Sequence, residues 1–449
     1  MAALEMMGAL RRLSVPRPCH QPLVSRHRLC SGPRRRGASR WRLAAGVVAA
    51  LAGGLALAGC SPQDQMPLVL AIGVGVDHDQ TINVDLEQEF RDRLRMLERS
   101  FRKLHPNVHF RFSLYPEQEL IAVMQRRQRS GLEPDLLFIN SQSAQELHRA
   151  GVTVPFPTTA EQLGRFDASV VRMTRLPGGG LSGLPELQQL QVSCFDRRQM
   201  AEAPTTVDDL LKASARGVPV GLAMGDGNLF WTMGSLGALP AVERLLRGEA
   251  AGPAEHQAIG RWLDWLADAS LQQRVAFYGR QDLAENQLLA GQLAWIPCRS
   301  TALPRLRRLM GNRLGVAALP DGTGSKASPI NQIRVLALGR TSSQRARQAA
   351  LAFSAFTLNP MIQRAITLGS YTVLPVNRHV SIPVSSSRTL AALVRARDQG
   401  QQSETLVPLL RPGEPRLARA EALVVEVVFG EVKPEEATPR MIRILRRPQ

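Results

Sequence analysis

The chain has 449 residues, a formal net charge of +18 and 44% hydrophobic residues, but only 5% aromatic ones. That length exceeds what one hydrophobic core comfortably holds, so two lobes are expected. The charge excludes a nucleic-acid signature: residues 1–60 hold ten arginines and one glutamate, and the other half of the excess is scattered as single arginines with no clustered patch interleaved by aromatics.

Arg34, Arg35, Arg36, Arg40 and Arg42 precede an uncharged apolar run from Leu43 to Ala58, then Gly59, Cys60 and a polar chain from Ser61. A basic region, a short apolar stretch and small residues at a cut are the order of a secretory signal. The run is shorter than the roughly 18 apolar residues of a spanning helix; a plain N-terminal anchor helix is the other reading. Residues 1–38 are long for an n-region and contain Cys19 and Cys30, so either the start is assigned too early or the leader is unusually long. The segment Leu57-Ala58-Gly59-Cys60 resembles the bacterial lipobox. That resemblance implies lipid attachment at Cys60 and a mature chain held outside the cytoplasm, in the periplasm, on a membrane.

Two cysteines remain, Cys194 and Cys298, each in an apolar strand-like segment. A disulfide and a pair of buried thiols are both open. No CxxC and no Cys/His cluster of metal spacing occurs, and Pro106 keeps His105 and His109 off a shared helix face. No metal and no cofactor are expected.

Leu68 to Val76 is a continuous apolar run, as in a buried parallel strand. From Val84 the apolar residues Leu86, Phe90, Leu94, Leu97 and Phe101 recur at mostly three and four, which predicts an amphipathic helix stopped by Pro106. Val108, Phe110, Phe112 and Leu114 alternate as a strand. A helix to about Arg129, a strand at Leu136 to Ile139 and a short helix ending at Gly151 complete a β-α-β-α-β-α pattern, a parallel sheet covered by helices. Ligands of such sheets lie beyond the carboxyl ends of the strands. That points to Asp77-His78-Asp79 and to Asn140-Ser141-Gln142, with helix capping as the alternative role of Asn140 or Ser141.

The run FRKLHPNVHF, a helix, and SGLEPDLLFINSQSAQELHRAGV resemble the opening of the family 1 extracellular solute-binding proteins, the maltose-binding-protein-like receptors of ABC importers. The resemblance persists through Gly183, Pro185, the strand Gln191 to Phe195 and Ala203-Pro204-Thr205, though Phe195 and Asp196 replace the usual Tyr-Asn pair. It continues through Gly291, Ala294-Trp295-Ile296, Leu319-Pro320 and the Gly369 to Arg378 segment. It implies a two-lobed periplasmic-binding-protein fold of type II, each lobe a parallel-rich α/β sheet with flanking helices, joined by a hinge. The expected division is a leader over 1–60, lobe one over 61–184, lobe two over 185–329, a return to lobe one over 330–372, and lobe-two helices over 373–449.

The resemblance also places candidate ligand contacts. Glu186 and Gln188, with Gln189, fall at the first crossing, and Asn331 with Gln332 at the second. Asn228 and Trp231 open a lobe-two helix, where an aromatic can stack on a sugar ring or bury as core. Arg299 and Ser300 follow a strand, and Tyr371 lies nearest the cleft in the return segment. Together with Asp77, Ser141 and Gln142 these form the candidate site. The implied function is a monomeric receptor that clamps a small polar solute, a sugar or polyol by resemblance, and delivers it to ABC permease subunits. The 5% aromatic content is low for a sugar receptor. Two other readings are a secreted hydrolase, for which no G-x-S-x-G, HExxH or paired carboxylate setting appears, and a scaffold of the same fold that binds a partner protein.

Overall fold

The structure is a computed structural model that describes residues 66–77, 82–225, 227–403, 406 and 415–446. The expected leader, its Cys60, and His78 and Asp79 of the first expected loop lie outside these residues.

Two sheets organise the described chain. The first contains β1 (Leu68–Val76), β2 (Val108–Pro116), β3 (Leu136–Asn140), β4 (Thr153–Val154) and β5 (Leu184–Gln189). The chain then enters the second sheet with β6 (Gln191–Asp196), β7 (Val220–Ala223), β8 (Val275–Tyr278), β9 (Trp295–Arg299) and β10 (Leu314–Ala317). It returns to the first with β11 (Gln332–Gly339) and β12 (Leu374–Pro375). The spatial orders are β12-β5-β11-β3-β1-β2, with β4 beside β11, and β10-β6-β9-β7-β8.

Each sheet has a parallel unit of three strands, β3-β1-β2 and β9-β7-β8. The strands that cross between lobes add antiparallel pairs, β11 on β3 and β6 on β9. β1 lies between β3 and β2 and is apolar at every position, and Leu70, Ile72, Val74 and Val76 are all buried. The helix expected after it runs over Val84–Arg102, started by the Asn83 side chain accepting from the Leu86 amide at 2.9 Å. Thr206 likewise accepts from the Asp209 amide at 3.1 Å, starting the Val207–Ala215 helix. Asn140 caps nothing with its side chain; its role is described below.

The crossings form the hinge. β5 passes into β6 through Leu190 alone, and β5 pairs with β11, Gln189 opposite Gln332. A third segment, the Arg388–Gly400 helix, leaves the first sheet after β12 and packs Leu390, Leu393 and Ala396 into a core shared with Val192, Ile296 and Leu306. The Pro415–Val428 and Pro434–Arg446 helices close on the Pro253–Leu271 helix in the second-sheet core. Cys194 and Cys298 form a disulfide between the neighbouring strands β6 and β9, which settles the open choice.

Candidate functional site

A cavity of about 600 Å³ lies over one face of the first sheet. Ile72, Val74, Phe138 and Leu336 make its floor. Leu86, Phe90, Leu94 and Leu97 of the Val84–Arg102 helix form one wall, and Phe353 and Ile366 another. Thr301, Pro304 and Arg308 reach it from the second-sheet side, so both lobes contribute. The volume falls within the range of about 300–1,000 Å³ common to small-molecule sites.

Its polar end lies at the carboxyl ends of the parallel strands. Arg334, near the start of the otherwise mostly apolar β11 and only 1% exposed, organises that end. Its Nη1 donates to Glu117 Oε1 at 2.9 Å and to Asn140 Oδ1 at 3.1 Å. Its Nη2 donates to the Phe138 carbonyl at 2.9 Å and to the Gly75 carbonyl, and the guanidinium lies 4.9 Å from the Phe138 ring centroid. Asp77 Oδ1 accepts from Asn140 Nδ2 at 2.8 Å and sits 3.6 Å from the guanidinium. Glu117 also accepts from the Asn140 amide at 3.1 Å and from the Ser143 hydroxyl. A side chain on Gly75 would collide with the Glu117 carboxylate, so glycine there permits the approach. One buried cation thus faces two carboxylates. Burial raises the Glu117 carboxyl above its ordinary value, the Arg334 charge pulls it back, and Asp77 adds to the rise.

Glu186 occupies the irregularity where the β5–β11 register shifts. It is 6% exposed and lines the cavity. The Thr357 hydroxyl donates to its carboxylate at 2.6 Å, and Gln363 Nε2 donates to its backbone carbonyl at 2.8 Å. Burial raises its carboxyl well above the usual carboxylate value, and the Thr357 hydrogen bond only partly offsets that.

The candidate residues divide into three groups. Asp77 and Glu186 line the cavity, and Tyr371 stands at its edge between the lining residues Ser370 and Thr372. Tyr371 holds a left-handed backbone at φ 52°, a conformation uncommon for a bulky residue. Arg307, from the second-sheet side, donates to the Ser370 and Tyr371 carbonyls at 3.1 and 3.2 Å and lies 5.8 Å from the Tyr371 ring centroid. The second group is gathered at the hinge. Ser300 is fully buried and accepts from the Leu190 amide at 3.0 Å. Asn331 accepts from the Gln191 amide at 3.3 Å and donates to the Ala396 carbonyl at 3.0 Å. Asn228 Nδ2 donates to the Gly225 carbonyl at 2.7 Å, and the Asn228 backbone carbonyl accepts from Gln191 Nε2 at 2.9 Å. Gln188 joins Asn331 around a hollow of about 20 Å³ on the opposite face of the hinge strands, room for about one water.

The third group stands apart from the cavity wall. Trp231 is wholly buried in the second core, edge-on to Trp295 at 6.2 Å, and presents no face for a ring to stack on. Arg299 is half-buried at the end of β9. Ser141 is buried and Gln142 half-buried in the first turn of the Ser141–Arg149 helix.

Sequence reading missed Glu117 and Arg334. The signal for Arg334 was a lone arginine inside an apolar strand, which must be paired if buried. The signal for Glu117 was its position just past β2, at the same strand ends as Asp77 and Asn140. Among the described residues, no group of three or more His, Cys, Asp or Glu side chains is placed to hold a metal ion.

The family described as bacterial extracellular solute-binding protein matches residues 99–389. A search of curated proteins found no match. Among solved structures, the chain is similar to the GacH receptor of Streptomyces glaucescens, whose structures include acarbose complexes, at 17% identity over 85% of this chain and 100% of that one, TM-score 0.67. It is similar to the maltose-maltodextrin binding protein of Alicyclobacillus acidocaldarius at 15% identity over 85% and 100%, TM-score 0.60. An ABC transporter solute-binding protein from Thermotoga lettingae, bound with α-D-tagatose, matches at 14% identity over 84% and 98%, TM-score 0.61. Likenesses at this identity show the fold.

Proposed function

The chain belongs to the bacterial extracellular solute-binding proteins, and from that premise we propose that it is the solute receptor of an ABC importer, capturing a sugar or polyol between two lobes and delivering it to permease subunits. The observation that carries this reading is the cavity: both lobes line it, and it lies beside paired crossing strands that can flex as a hinge. The ligand class is supported by what the similar structures are said to bind, acarbose and α-D-tagatose among them.

In this reading the lobes follow the divisions drawn from the sequence except at two borders, which move to about Leu190 and past Pro375 because β5 and β12 are strands of the first sheet. Asp77 and Glu186 contact the solute, and Tyr371 with Arg307 brings the two lobe edges together. Lipid attachment at Cys60, a periplasmic location and a monomeric state belong to the same proposal. No catalytic step is required.

A thermal-shift screen of the full chain against monosaccharides, oligosaccharides, polyols, amino acids and polyamines tests it. The expected result is a rise in melting temperature with a sugar or polyol, as binding to the folded state alone demands. Stabilisation by amino acids or polyamines with none from any sugar or polyol would overturn the ligand class.

A further inference from the structure

The cavity is longer and more apolar than a sugar needs. Along β1 and the residue after it, its wall runs from Ile72 to Asp77, five steps along the chain, or roughly 17 Å at about 3.3 Å per strand residue. Besides Gln88 and Asp92, bonded to each other on the helix wall, and Thr301 and Arg308 from the second-sheet side, its polar groups gather at one end. There Arg334 already donates to four acceptors, and Asp77 accepts from Asn140. Among the described residues, the Glu186 carboxyl has a single hydroxyl partner and no ion pair. Gln189 Oε1 and the Thr372 hydroxyl, both in cavity-lining residues, have no hydrogen-bond partner among the described residues, and Thr372 is 1% exposed. Buried polar atoms are nearly always paired, so these groups mark where a donor-bearing ligand head belongs.

Away from that end the wall is mostly hydrocarbon, and the Gln88–Asp92 pair on the helix is satisfied within itself. Phe90, Leu94 and Leu97, the stripe that should pack the Val84–Arg102 helix onto the sheet, remain only half-buried and face the cavity. No tryptophan lines it. A free sugar would leave most of this surface uncovered, whereas an apolar chain would cover it.

We infer that the ligand is an amphiphile: a hydroxylated head held by Glu186, Gln189 and Thr372, carrying an apolar body that lies beneath the Val84–Arg102 helix. This rests on the receptor reading above and specifies the substrate class of the same cavity. The recognition divides by chemistry. The head's hydroxyls donate to the Glu186 and Gln189 oxygens, and the body displaces water from Leu94, Phe138 and Leu336.

The test is calorimetric titration of the purified full chain with D-glucose and with n-butyl, n-hexyl and n-octyl β-D-glucopyranosides, all below their micelle concentrations. The same lengths of 1-O-alkyl glycerol and of 1-alkanol accompany them. The expected result is affinity rising about three- to fourfold per added methylene for a hydroxylated head. A Leu94→Phe variant, checked for an unchanged circular dichroism spectrum, should flatten that rise by occupying the channel. A Glu186→Leu variant should reduce the advantage of glucosides over alkanols of equal length. Glucose and its alkyl glucosides binding equally would overturn the amphiphile while leaving the receptor reading intact. Alkanols binding as tightly as glucosides would overturn the assigned head. Failure of every probe, glucose and glycerol ethers included, would overturn both.

Discussion

The two sheets share a plan, a parallel three-strand unit with an antiparallel crossing strand beside it, yet their interiors differ. The second is filled. Trp231, Trp262 and Trp295 are wholly buried, Trp262 Nε1 donates to the Thr232 hydroxyl at 2.9 Å, and the Cys194–Cys298 disulfide joins two neighbouring strands. The first leaves about 600 Å³ open above its sheet and places a buried ion cluster at the strand ends. One lobe is built as a rigid base. The other keeps space, unpaired carboxyl chemistry and a half-packed helix, the features that binding needs and stability does not.

The contrast can be broken at its extremes. Trp262→Ala should cost about 3–5 kcal/mol, because its wholly packed surroundings cannot collapse into the space. Urea unfolding would show it, and a loss under about 1 kcal/mol would mean that the second core is not tightly packed. Arg334→Met should also cost about 3–5 kcal/mol, since Asp77 and Glu117 would be left as buried, uncompensated charges. Much of that loss should be recovered at acid pH, where the carboxyls are protonated; a pH-independent loss would place the cost in packing.

Removing the disulfide with Cys194→Ser and Cys298→Ser together should cost about 2–5 kcal/mol, for a link spanning 104 residues of chain. Leu94→Ala should cost less than about 2 kcal/mol, because the leucine already borders open space and little new cavity forms. Equal losses from Leu94→Ala and Trp262→Ala would erase the contrast between the lobes.

Glu186 gives the smallest effect and a change of sign. Its carboxyl is raised in the folded state above the ordinary 4.5. A raised value means the protonated form is favoured by folding. The associated stability is complete below about pH 4.5 and is lost as pH rises through the folded value. Glu186→Gln, which keeps an acceptor for Thr357, should therefore be more stable than the parent at pH 8 and converge with it below pH 4.5. Melting temperatures across that range would show this, and parallel curves would contradict a buried, unpaired carboxyl.

Much of this arrangement was legible from local pattern. The continuous apolar run of β1 and the alternation of β2 have one physical reading each, and the strands lie where those signals fall. Side-chain direction was less legible. Asn331, Ser300 and Asn228 sit near the cleft in sequence terms, but Asn331 and Ser300 hold hinge backbone and Asn228 Nδ2 holds the Gly225 carbonyl of its own turn, and one residue of register separates a cavity-facing position from its opposite, as Gln189 and Gln188 show. Trp231 went into the core because a lobe-two helix needed its bulk more than the cavity did. Arg334 escaped notice because its partners, Asp77, Glu117 and Asn140, come from three separate strand ends that only the folded sheet brings together.

The most direct test is a crystal structure of the full chain grown with the solute that best stabilises it. The account predicts density for that solute inside the cavity, touching Glu186 from the first sheet and the Thr301–Arg308 segment from the second. Density for the solute at any other place, with that cavity filled by the Val84–Arg102 helix, would contradict it.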